Sequence, residues 1–389
     1  MRRTNNVYII GVGQTELGEL WQVSLRQLAS RALKAAQEDA GGVEPQAIFV
    51  GNMLAANASR QANLAALVAE YAGLAGKAEG FTIEAAEASG GAAIYVANNA
   101  IRSGMVDVAA VVGVEKVTDV VGAGIESRLL STGIDSDYEA SEGLTLTGQT
   151  SLLLQRYLFE NHLPREALAD FPVIAHANAV NNPRAMFRRS IDINAYRNAP
   201  IDTGGFNMYD VAPNADGAAA LILVRGDRVP KSLAHKPVRL ASSSYITDRL
   251  ALHDRQDMLF FEAAAVSVQQ ALLKAGINLP DVDFFEYSDN TTLHAVLSLE
   301  AAGFAPRGEG WKLATSGALT LQGELPVATM GGHKARGFPL GASGVFQVVE
   351  ACQQLRGEAG LNQIEHARIG MTQSLAATAS AAATQILTL

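Results

Sequence analysis

The chain has 389 residues, of which 48% are hydrophobic and 18% charged, so it is long and apolar enough to bury a large core. Its formal net charge of −9 argues against a nucleic-acid partner, because binding to a phosphate backbone is carried mainly by clustered Lys and Arg. The single cysteine, Cys352, excludes a disulfide framework and a metal site built from several thiolates of one chain.

The apolar stretches of the sequence are too short for a membrane helix, which needs roughly 18 to 20 residues. A typical long run is VAAVVGV at 108–114. The N-terminus, MRRTNNVYII, leads directly into a strand pattern, without the apolar stretch and cleavage site of a signal peptide. We therefore expect a cytoplasmic protein without a membrane span.

The chain begins with a strand, a turn and a helix. The strand pattern VYIIGV starts at Val7 and ends at a glycine turn, but the third glycine of a dinucleotide-binding G-x-G-x-x-G pattern is Glu16 here, so the turn is not a nucleotide site. Ser24 and Gln27 have the spacing of a capping box. The helix that follows carries an apolar stripe formed by Leu25, Leu28, Ala29, Ala32, Leu33 and Ala36.

The rest of the first half continues this alternation. Strand patterns begin at Ala47 and Val106, and helix patterns cover 62–74 and 90–103. Alternating strands and helices are typical of an α/β core with parallel strands, which is the arrangement we predict. Residues from about 118 to 210 lack the alternation, and we interpret them as an inserted cap that begins with a helix at 147–162 and ends before the strand at 209–224.

The second half repeats the first. Strand patterns occur at 237–244, 282–289 and 366–374, and helix patterns at 261–277 and 293–303. The segment 337–357 has the same layout as 84–104, with a Ser-Gly pair at the start of each helix. An internal duplication explains both halves, which predicts an N-terminal half at 1–230 and a C-terminal half at 231–389.

Five separated segments of the sequence resemble a thiolase of the sterol carrier protein type. They are GVGQTELG (11–18), IEAAEASGGAAIY (83–95), DGAAALILV (216–224), 286–310 and 331–360, in the order and spacing of that family. The resemblance covers nearly the whole chain. It implies a duplicated five-layer αβαβα fold with an inserted loop domain over a CoA-ester tunnel. It also implies a homodimer formed by pairing strands of the N-terminal halves.

The four positions that carry chemistry in the family are all replaced here. The motif E-A-A-C-A-S-G-G-A-A has Glu87 at its cysteine, E-V-H-D has Ser288 at its histidine, and G-H-P has Phe338 at its histidine. The fourth position, a cysteine or glycine-rich loop near the C-terminus, is SLAATAS from Ser374. The five segments keep the order and spacing of the family, whereas all four chemical positions are replaced. This indicates that Cys-dependent Claisen and thiolytic chemistry has been lost.

Three functions remain open on these residues. The first is implied by a resemblance to thiolase-like proteins that lack the cysteine: a lyase that cleaves a β-hydroxyacyl-CoA by a retro-aldol reaction. Glu87 would be the general base, and backbone amides of the former oxyanion holes would stabilise the enolate. The second is a non-catalytic acyl-CoA-binding or complex-forming subunit. The third is an acyltransferase in which Glu87 replaces the cysteine as nucleophile, although Phe338 leaves no imidazole there to protonate the departing thiolate.

Other positions complete the predicted site. His333, in GGHK where the family more often has an apolar residue, is a candidate for a relocated acid or base, and Asp289 matches the aspartate of the E-V-H-D motif. The resemblance assigns Ser343 and Gly344 to contact with the CoA thioester. No bound cofactor is expected; a coenzyme A thioester is the substrate or ligand. Lyases of this kind usually work with a small partner that has an OB-fold and a zinc ribbon.

Overall fold

The computed structural model describes residues 6–121, 125, 130–202 and 204–389. Nine strands lie in these residues: β1 (Val7–Gln14), β2 (Ala47–Gly51), β3 (Glu79–Ile83), β4 (Val108–Glu115), β5 (Gly217–Arg225), β6 (Val238–Thr247), β7 (Phe284–Glu286), β8 (Ile369–Ala376) and β9 (Ala381–Thr388). The same residues contain eleven α-helices: α1 (Leu25–Asp39), α2 (Ala55–Ala58), α3 (Leu64–Tyr71), α4 (Ser89–Ser103), α5 (Leu146–Glu160), α6 (Asp170–Ala179), α7 (Ile193–Asn198), α8 (Glu262–Ala275), α9 (Thr292–Ala302), α10 (Gly310–Thr315) and α11 (Ser343–Arg356).

The first helix has the start and the face that its sequence predicts. Ser24 Oγ accepts from the Gln27 backbone N–H at 3.4 Å, and Gln27 Oε1 accepts from the Ser24 N–H at 2.9 Å, which is the capping box. The buried face of α1 consists of the predicted stripe, Leu25, Leu28, Ala29, Ala32, Leu33 and Ala36. Local sequence thus determines where this helix begins and which side it buries.

The nine strands form one sheet whose order reflects a duplication. The order is β3-β2-β4-β5-β1-β6-β9-β8-β7, and β1 and β6 meet over three residue pairs. Outward from that junction, the N-terminal half runs β1, β5, β4, β2, β3 and the C-terminal half runs β6, β9, β8, β7. In each half, the strand that comes first in the sequence lies at the junction, and the strand that comes last in the sequence pairs with it.

The prediction of a parallel core was wrong for the centre of the sheet. Only β2–β3, β2–β4 and β7–β8 pair in parallel, whereas β1–β5, β4–β5, β1–β6, β6–β9 and β8–β9 are antiparallel. The direction of pairing follows from the segments that connect the strands, because parallel neighbours need a crossover connection and antiparallel neighbours do not. β5 follows the inserted segment, and β9 follows β8 after a short turn. The sequence reading also treated the segment from Ser374 as a loop and missed β9.

The buried residues divide into layers on both sides of the sheet. Alternate residues of β4 face in opposite directions: Ala110, Val112 and Val114 pack with α1 and α3, and Ala109 and Val111 pack with α4 and α11. In the C-terminal half, β8 and β9 pack against α8 and α9. Phe284 of β7 and Leu387 of β9 belong to the same cluster as α4 and α11, so the two halves of the sheet lie on opposite sides of these two helices. The layers are therefore α1 and α3, N-terminal strands, α4 and α11, C-terminal strands, and α8 and α9, which confirms the predicted five-layer arrangement.

The two central helices touch at their N-termini. A Cβ on Gly344 would lie 2.5 Å from the Gly91 backbone nitrogen and 2.9 Å from Ser374 Oγ. A Cβ on Gly91 would collide with the same hydroxyl. Glycine is needed at both positions because no side chain fits between α4, α11 and β8, and this contact brings the corresponding loops of the two halves together.

The predicted cap packs mainly on the C-terminal half. Leu153, Tyr157 and Phe171 belong to the same apolar cluster as Leu293 and Phe285. The Tyr157 hydroxyl donates to Glu300 Oε1 at 2.6 Å, which ties α5 to α9. Residues 122–124, 126–129 and 203 of the predicted cap, and residues 1–5 of the predicted N-terminal half, lie outside the described residues. The domain boundaries stay predictions.

Within residues 6–121, 125, 130–202 and 204–389, no helix combines the length and the apolar character needed to span a bilayer.

Candidate functional site

Glu87 lies in a tight loop immediately before α4. The preceding Ala86 has φ +48°, a left-handed conformation that is uncommon for a residue with a side chain. Ser89 Oγ accepts from the Ala85 N–H at 2.9 Å and donates to the Ala86 carbonyl at 2.5 Å. The loop is thus fixed by the first residue of the helix, and it places Glu87, which is 2% exposed, close to the positive end of α4.

The Glu87 carboxylate meets the C-terminal motif segment. Its Oε2 accepts from the Ala377 backbone N–H at 2.7 Å. Ala377 lies in the turn between β8 and β9, and it and Ala379 have φ values of +45° and +68°. The fold therefore brings together the first and fourth predicted motif positions, and the fourth contributes a backbone donor.

A small cavity of about 70 Å³ lies beside Glu87. Its walls come from the start of α4, the start of α5, the segment before β5 and the loop before α9. The lining residues are Glu87, Leu146, Thr147, Thr150, Val211, Ala212, Asn214, Asn290, Thr291 and Phe338. Carboxylate, hydroxyl and amide groups thus converge with one aromatic ring, which is the composition of a site that orients a small polar ligand.

Ser288 is not part of this cavity wall. Its hydroxyl donates to the Gln373 carbonyl at 3.2 Å and accepts from the Leu375 N–H at 3.1 Å. Both hydrogen bonds go to β8, so Ser288 fixes the loop that follows β7 to the neighbouring strand. The structure therefore places this motif position in a structural contact, while Asn290 and Thr291 from the same loop reach the cavity.

His333 and Asp289 form a buried pair behind the cavity. The His333 backbone N–H donates to Asp289 Oδ1 at 2.7 Å, and the His333 Nδ1 lies 3.5 Å from the same oxygen. Burial, with the charges of Arg336 and Lys334, holds the pKa of His333 well below its usual value. Burial raises the pKa of Asp289, against the opposing effect of Lys334. The imidazole is therefore neutral at neutral pH.

Phe338 separates this pair from Glu87. The Phe338 ring lines the cavity and lies against the His333 ring, with centroids 4.8 Å apart, whereas His333 does not line it. The backbone of Phe338 is held in place because its N–H donates to Pro213 at 2.8 Å and its carbonyl accepts from Ala215 at 2.9 Å. The structure thus brings Glu87 and Phe338 together and keeps His333 and Asp289 behind the phenyl ring.

A larger cavity of about 790 Å³ shares one lining residue, Val211, with the small one. Its other lining residues are His176, Met186, Phe187, Arg188, Arg189, Ser190, Ile191, Ala195, Met208, Tyr209, Pro213 and Lys334. The Lys334 ammonium donates to the Asp210 carbonyl at 2.6 Å, and burial lowers its pKa to about 8. The exposed Arg188 and Arg189 add two cations to a largely apolar wall. This combination suits a ligand with phosphates and an apolar arm.

Ser343 and Gly344 lie at the start of α11. Ser343 is 1% exposed, and Gly344 packs against Gly91. Neither residue lines either of the two cavities. Their contact with a CoA thioester stays a prediction, and their place in the fold is at the junction of the two central helices.

No role was assigned to His294 or Thr291 from the sequence. His294 is fully buried, with Nδ1 2.8 Å from Thr291 Oγ1 and Nε2 2.9 Å from the Ala377 carbonyl. Burial lowers its pKa to about 4. The signal in the sequence was the spacing T-x-x-H at the start of a helix, where an N-cap side chain meets the third helical residue.

Comparisons with known proteins agree with this fold. The description "Thiolase, N-terminal domain" matches residues 7–204, and "Thiolase C-terminal domain-like" matches 244–389. An acetyl-CoA acetyltransferase of Methanothermobacter thermautotrophicus is 38% identical over 98% of this chain and 99% of its own. The benzoylsuccinyl-CoA thiolase subunit BbsB of Thauera aromatica is 31% identical over 96% and 95%. A solved Ltp2-ChsH2(DUF35) aldolase superimposes with a TM-score of 0.85 at 22% identity, covering 99% and 98%.

Proposed function

This chain belongs to the thiolase family, and we propose that it binds acyl-CoA thioesters and cleaves a β-hydroxyacyl-CoA by a retro-aldol reaction with Glu87 as general base. The observation that carries the proposal is the buried Glu87 carboxylate at the start of α4, held by the Ala377 N–H beside a polar cavity. It occupies the place of the family's thiol, and a carboxylate at that place removes protons more readily than it forms a stable acyl intermediate.

The larger cavity is the proposed site of the coenzyme A moiety. Arg188 and Arg189 would pair with its phosphates, and the apolar wall would cover the pantetheine arm. The thioester would then reach the small cavity at Val211. The names of the two relatives support this assignment, since both contain a coenzyme A thioester.

The proposed reaction balances with a single carboxyl group. Glu87 removes the proton of the β-hydroxyl, the bond between Cα and Cβ breaks, and the electron pair moves to the thioester as an enolate. The Cβ fragment leaves as an aldehyde or ketone. Glu87 then returns the same proton to Cα, which yields a shortened acyl-CoA. The side-chain amides of Asn214 and Asn290, which line the cavity, are suited to donate to the enolate oxygen beside any backbone donors.

His333 could take part in this reaction only if the Phe338 side chain moved. Its imidazole lies behind Phe338 and is absent from the cavity wall, so it reaches a ligand only if that ring turns aside. With Phe338 in place, Glu87 carries the proton alone. His333 and Asp289 are therefore proposed as a reserve acid–base pair and not as the primary one.

Acyl transfer through a Glu87 anhydride ranks lower. It would need an acid to protonate the departing CoA thiolate, and no imidazole lines the small cavity in the described part of the chain. Proton transfer of this kind is typically worth about 10²- to 10⁴-fold in rate.

A second candidate is a binding subunit without catalytic activity. The observation in its favour is the size of the cavity at Glu87, about 70 Å³, with Phe338 filling the histidine position. A site of that size holds a short acyl group but leaves little room for a second reactant. In this case the protein would retain acyl-CoA esters unchanged.

Incubation with β-hydroxyacyl-, β-ketoacyl- and saturated acyl-CoA esters of matched chain length distinguishes the lyase, the acyltransferase and the non-catalytic binder. A lyase gives a shortened acyl-CoA and a carbonyl product by mass spectrometry, with no mass added to the protein. An acyltransferase gives an adduct on Glu87, and a binder gives neither. For the lyase, Glu87→Gln should lower turnover about 10²- to 10⁴-fold while the ester still binds. Unchanged turnover in that variant would show that Glu87 is not the base.

A homodimer is proposed through β3. This strand is the edge of the sheet in the described residues, its residues are largely exposed, and the Phe81 side chain is 39% exposed while it stacks on Phe49 at 5.2 Å. An exposed apolar edge strand is a template for pairing with another chain. Light scattering of Phe81→Asp should show monomers, and Leu273→Asp, at an 80% exposed site on α8, should stay dimeric. A monomeric wild-type protein would refute the dimer.

A small OB-fold and zinc-ribbon protein is proposed as a further partner. Two comparisons support it: BbsB is named as a subunit, and the solved aldolase contains a DUF35 component. Affinity purification from the native cell extract should yield a small zinc-binding protein in a fixed ratio to this chain. Full turnover by the isolated chain would argue against the requirement.

A further inference from the structure

His294 connects the two sides of the small cavity. On one side its Nδ1 lies 2.8 Å from Thr291 Oγ1, and Thr291 lines the cavity. On the other its Nε2 lies 2.9 Å from the carbonyl of Ala377, whose own N–H donates to Glu87. The imidazole is fully buried and packs against Phe261 at 5.5 Å between ring centroids. It touches neither the cavity nor solvent, so its effect on a ligand passes through these neighbours.

The hydrogen-bond partners fix the tautomer of this imidazole. A carbonyl oxygen only accepts, so Nε2 carries the hydrogen and donates it to Ala377. Burial keeps the ring neutral at neutral pH, so Nδ1 has a free lone pair. Thr291 must therefore donate its hydroxyl proton to Nδ1.

The direction of the hydrogen bond from Thr291 to His294 determines whether Thr291 can donate to a ligand or only accept from it. Since the Thr291 proton is used within the protein, its oxygen can only accept on the cavity side. Thr150, on the same wall, likewise donates its proton to the Leu146 carbonyl at 2.9 Å. With the Glu87 carboxylate, three groups of the wall are acceptors, and the amides of Asn214 and Asn290 supply side-chain donors.

We infer that His294 is a positioning residue that makes this cavity select a substrate hydroxyl. It holds the Ala377 turn against Glu87 and directs the Thr291 proton away from the cavity. A hydroxyl at Cβ can then donate to the cavity side of the Thr291 oxygen, whereas a hydrogen at the same carbon cannot. The inference rests on the proposed binding of β-hydroxyacyl-CoA esters and explains how the site recognises their β-hydroxyl.

The test compares the binding of 3-hydroxybutyryl-CoA and butyryl-CoA by isothermal titration calorimetry. The two esters differ only in the hydroxyl, and the wild-type protein should prefer the hydroxy ester by about tenfold or more. His294→Phe keeps a ring of similar size but loses both hydrogen bonds, so the preference should fall below about threefold while the affinity for butyryl-CoA stays the same. His294→Gln restores a donor near the Nε2 position and should recover part of the preference.

A second pair of variants covers the case in which His294→Phe does not fold. Thr291→Val removes the hydroxyl and leaves His294 in place, whereas Thr291→Ser keeps the hydroxyl and the helix cap. Valine should lower the preference about three- to tenfold and serine should keep it. No preference in the wild type, an unchanged preference in Thr291→Val or in folded His294→Phe, or an equal loss of affinity for both esters overturns the inference.

Cleavage is followed separately by mass spectrometry of released acetyl-CoA. A wild-type protein that prefers the hydroxy ester but releases no acetyl-CoA refutes the lyase and leaves the positioning role intact. A protein that cleaves the ester while its variants keep the full preference refutes the positioning role alone.

Discussion

The imidazole of His333 lies against the phenyl ring of Phe338, with the ring centroids 4.8 Å apart. In the resemblance to sterol carrier protein type thiolases, an apolar residue is more common at position 333 and the histidine stands at 338. In this structure the phenyl ring of Phe338 lines the small cavity, and the imidazole of His333 does not.

Removing the Phe338 ring should expose His333 to the cavity. Phe338→Ala deletes a ring that is 6% exposed, and we expect a loss of about 3 to 5 kcal/mol in the free energy of unfolding. Labelling with diethyl pyrocarbonate, read by peptide mass spectrometry, should modify His333 in this variant and not in wild type. Phe338→Leu keeps most of the apolar volume and should protect His333. Equal labelling in all three proteins would show that the ring is not the barrier.

Restoring the thiol alone should not restore thiolase chemistry. In Glu87→Cys, the small cavity still has no imidazole in its described wall to activate the thiol, so incubation with acetyl-CoA should give slow acetylation and no acetoacetyl-CoA. Peptide mapping should place the acetyl group at position 87, because Cys352 is fully buried and burial raises its pKa to about 12. Steady production of acetoacetyl-CoA by this variant would contradict the conclusion that the lost histidines matter.

The two arginines of the large cavity should govern affinity for coenzyme A. Arg188→Ala and Arg189→Ala should each weaken CoA binding about tenfold, since a hydrogen bond to a charged group contributes more than a neutral one. The loss should shrink at high salt. Arg197→Ala is the matched control, because Arg197 is exposed on α7 and lines neither cavity. If all three substitutions weakened CoA binding equally, the effect would come from the overall charge of the protein and not from a binding site at Arg188 and Arg189.

Acid should destabilise the fold partly through His294. Its pKa is about 4 in the folded protein and near 6.5 in the unfolded chain, so between these values only the unfolded chain binds the proton. The stabilising effect of the neutral ring is complete above about pH 6.5 and is lost as the pH falls to 4, a change of about 3 kcal/mol.

Denaturation with urea at pH 7 and pH 4.5 measures that loss. His294→Gln should show a smaller decrease in stability between the two pH values, because glutamine does not titrate. A decrease should remain, since burial also lowers the pKa values of His333 and His176. His253→Gln, at a side chain that is 54% exposed, should behave like wild type. An unchanged pH dependence in His294→Gln would contradict the assignment.

The sequence predicted the parts of the fold that local patterns encode. The capping box at Ser24 and the buried face of α1 follow from local residue patterns, whereas the five layers were predicted from the family resemblance. The antiparallel centre was not predicted, because strand order depends on long-range pairing that periodicity does not report. β9, Ala381–Thr388, was missed because the sequence interpretation ended with the motif segment at 374–380 and assigned no element beyond it.

The candidate site shows the same division. The resemblance to the family motifs identified Glu87 and Phe338, which both line the small cavity. It also pointed to Ser288, whose side chain the fold turns to β8. His294 was not assigned a role, because its importance comes from Ala377, a residue 83 positions away in the chain. Contacts of that separation are set by the tertiary fold.

The contact between Gly91 and Gly344 limits how this protein can change. Because no Cβ fits there, the starts of α4 and α11 pack closely through their backbones, and a side chain at either glycine would push them apart. The loops that carry Glu87 and Phe338 are anchored beside that rigid point. A side chain added at either glycine would therefore disturb both of these loops, and with them the cavity that Glu87 and Phe338 line.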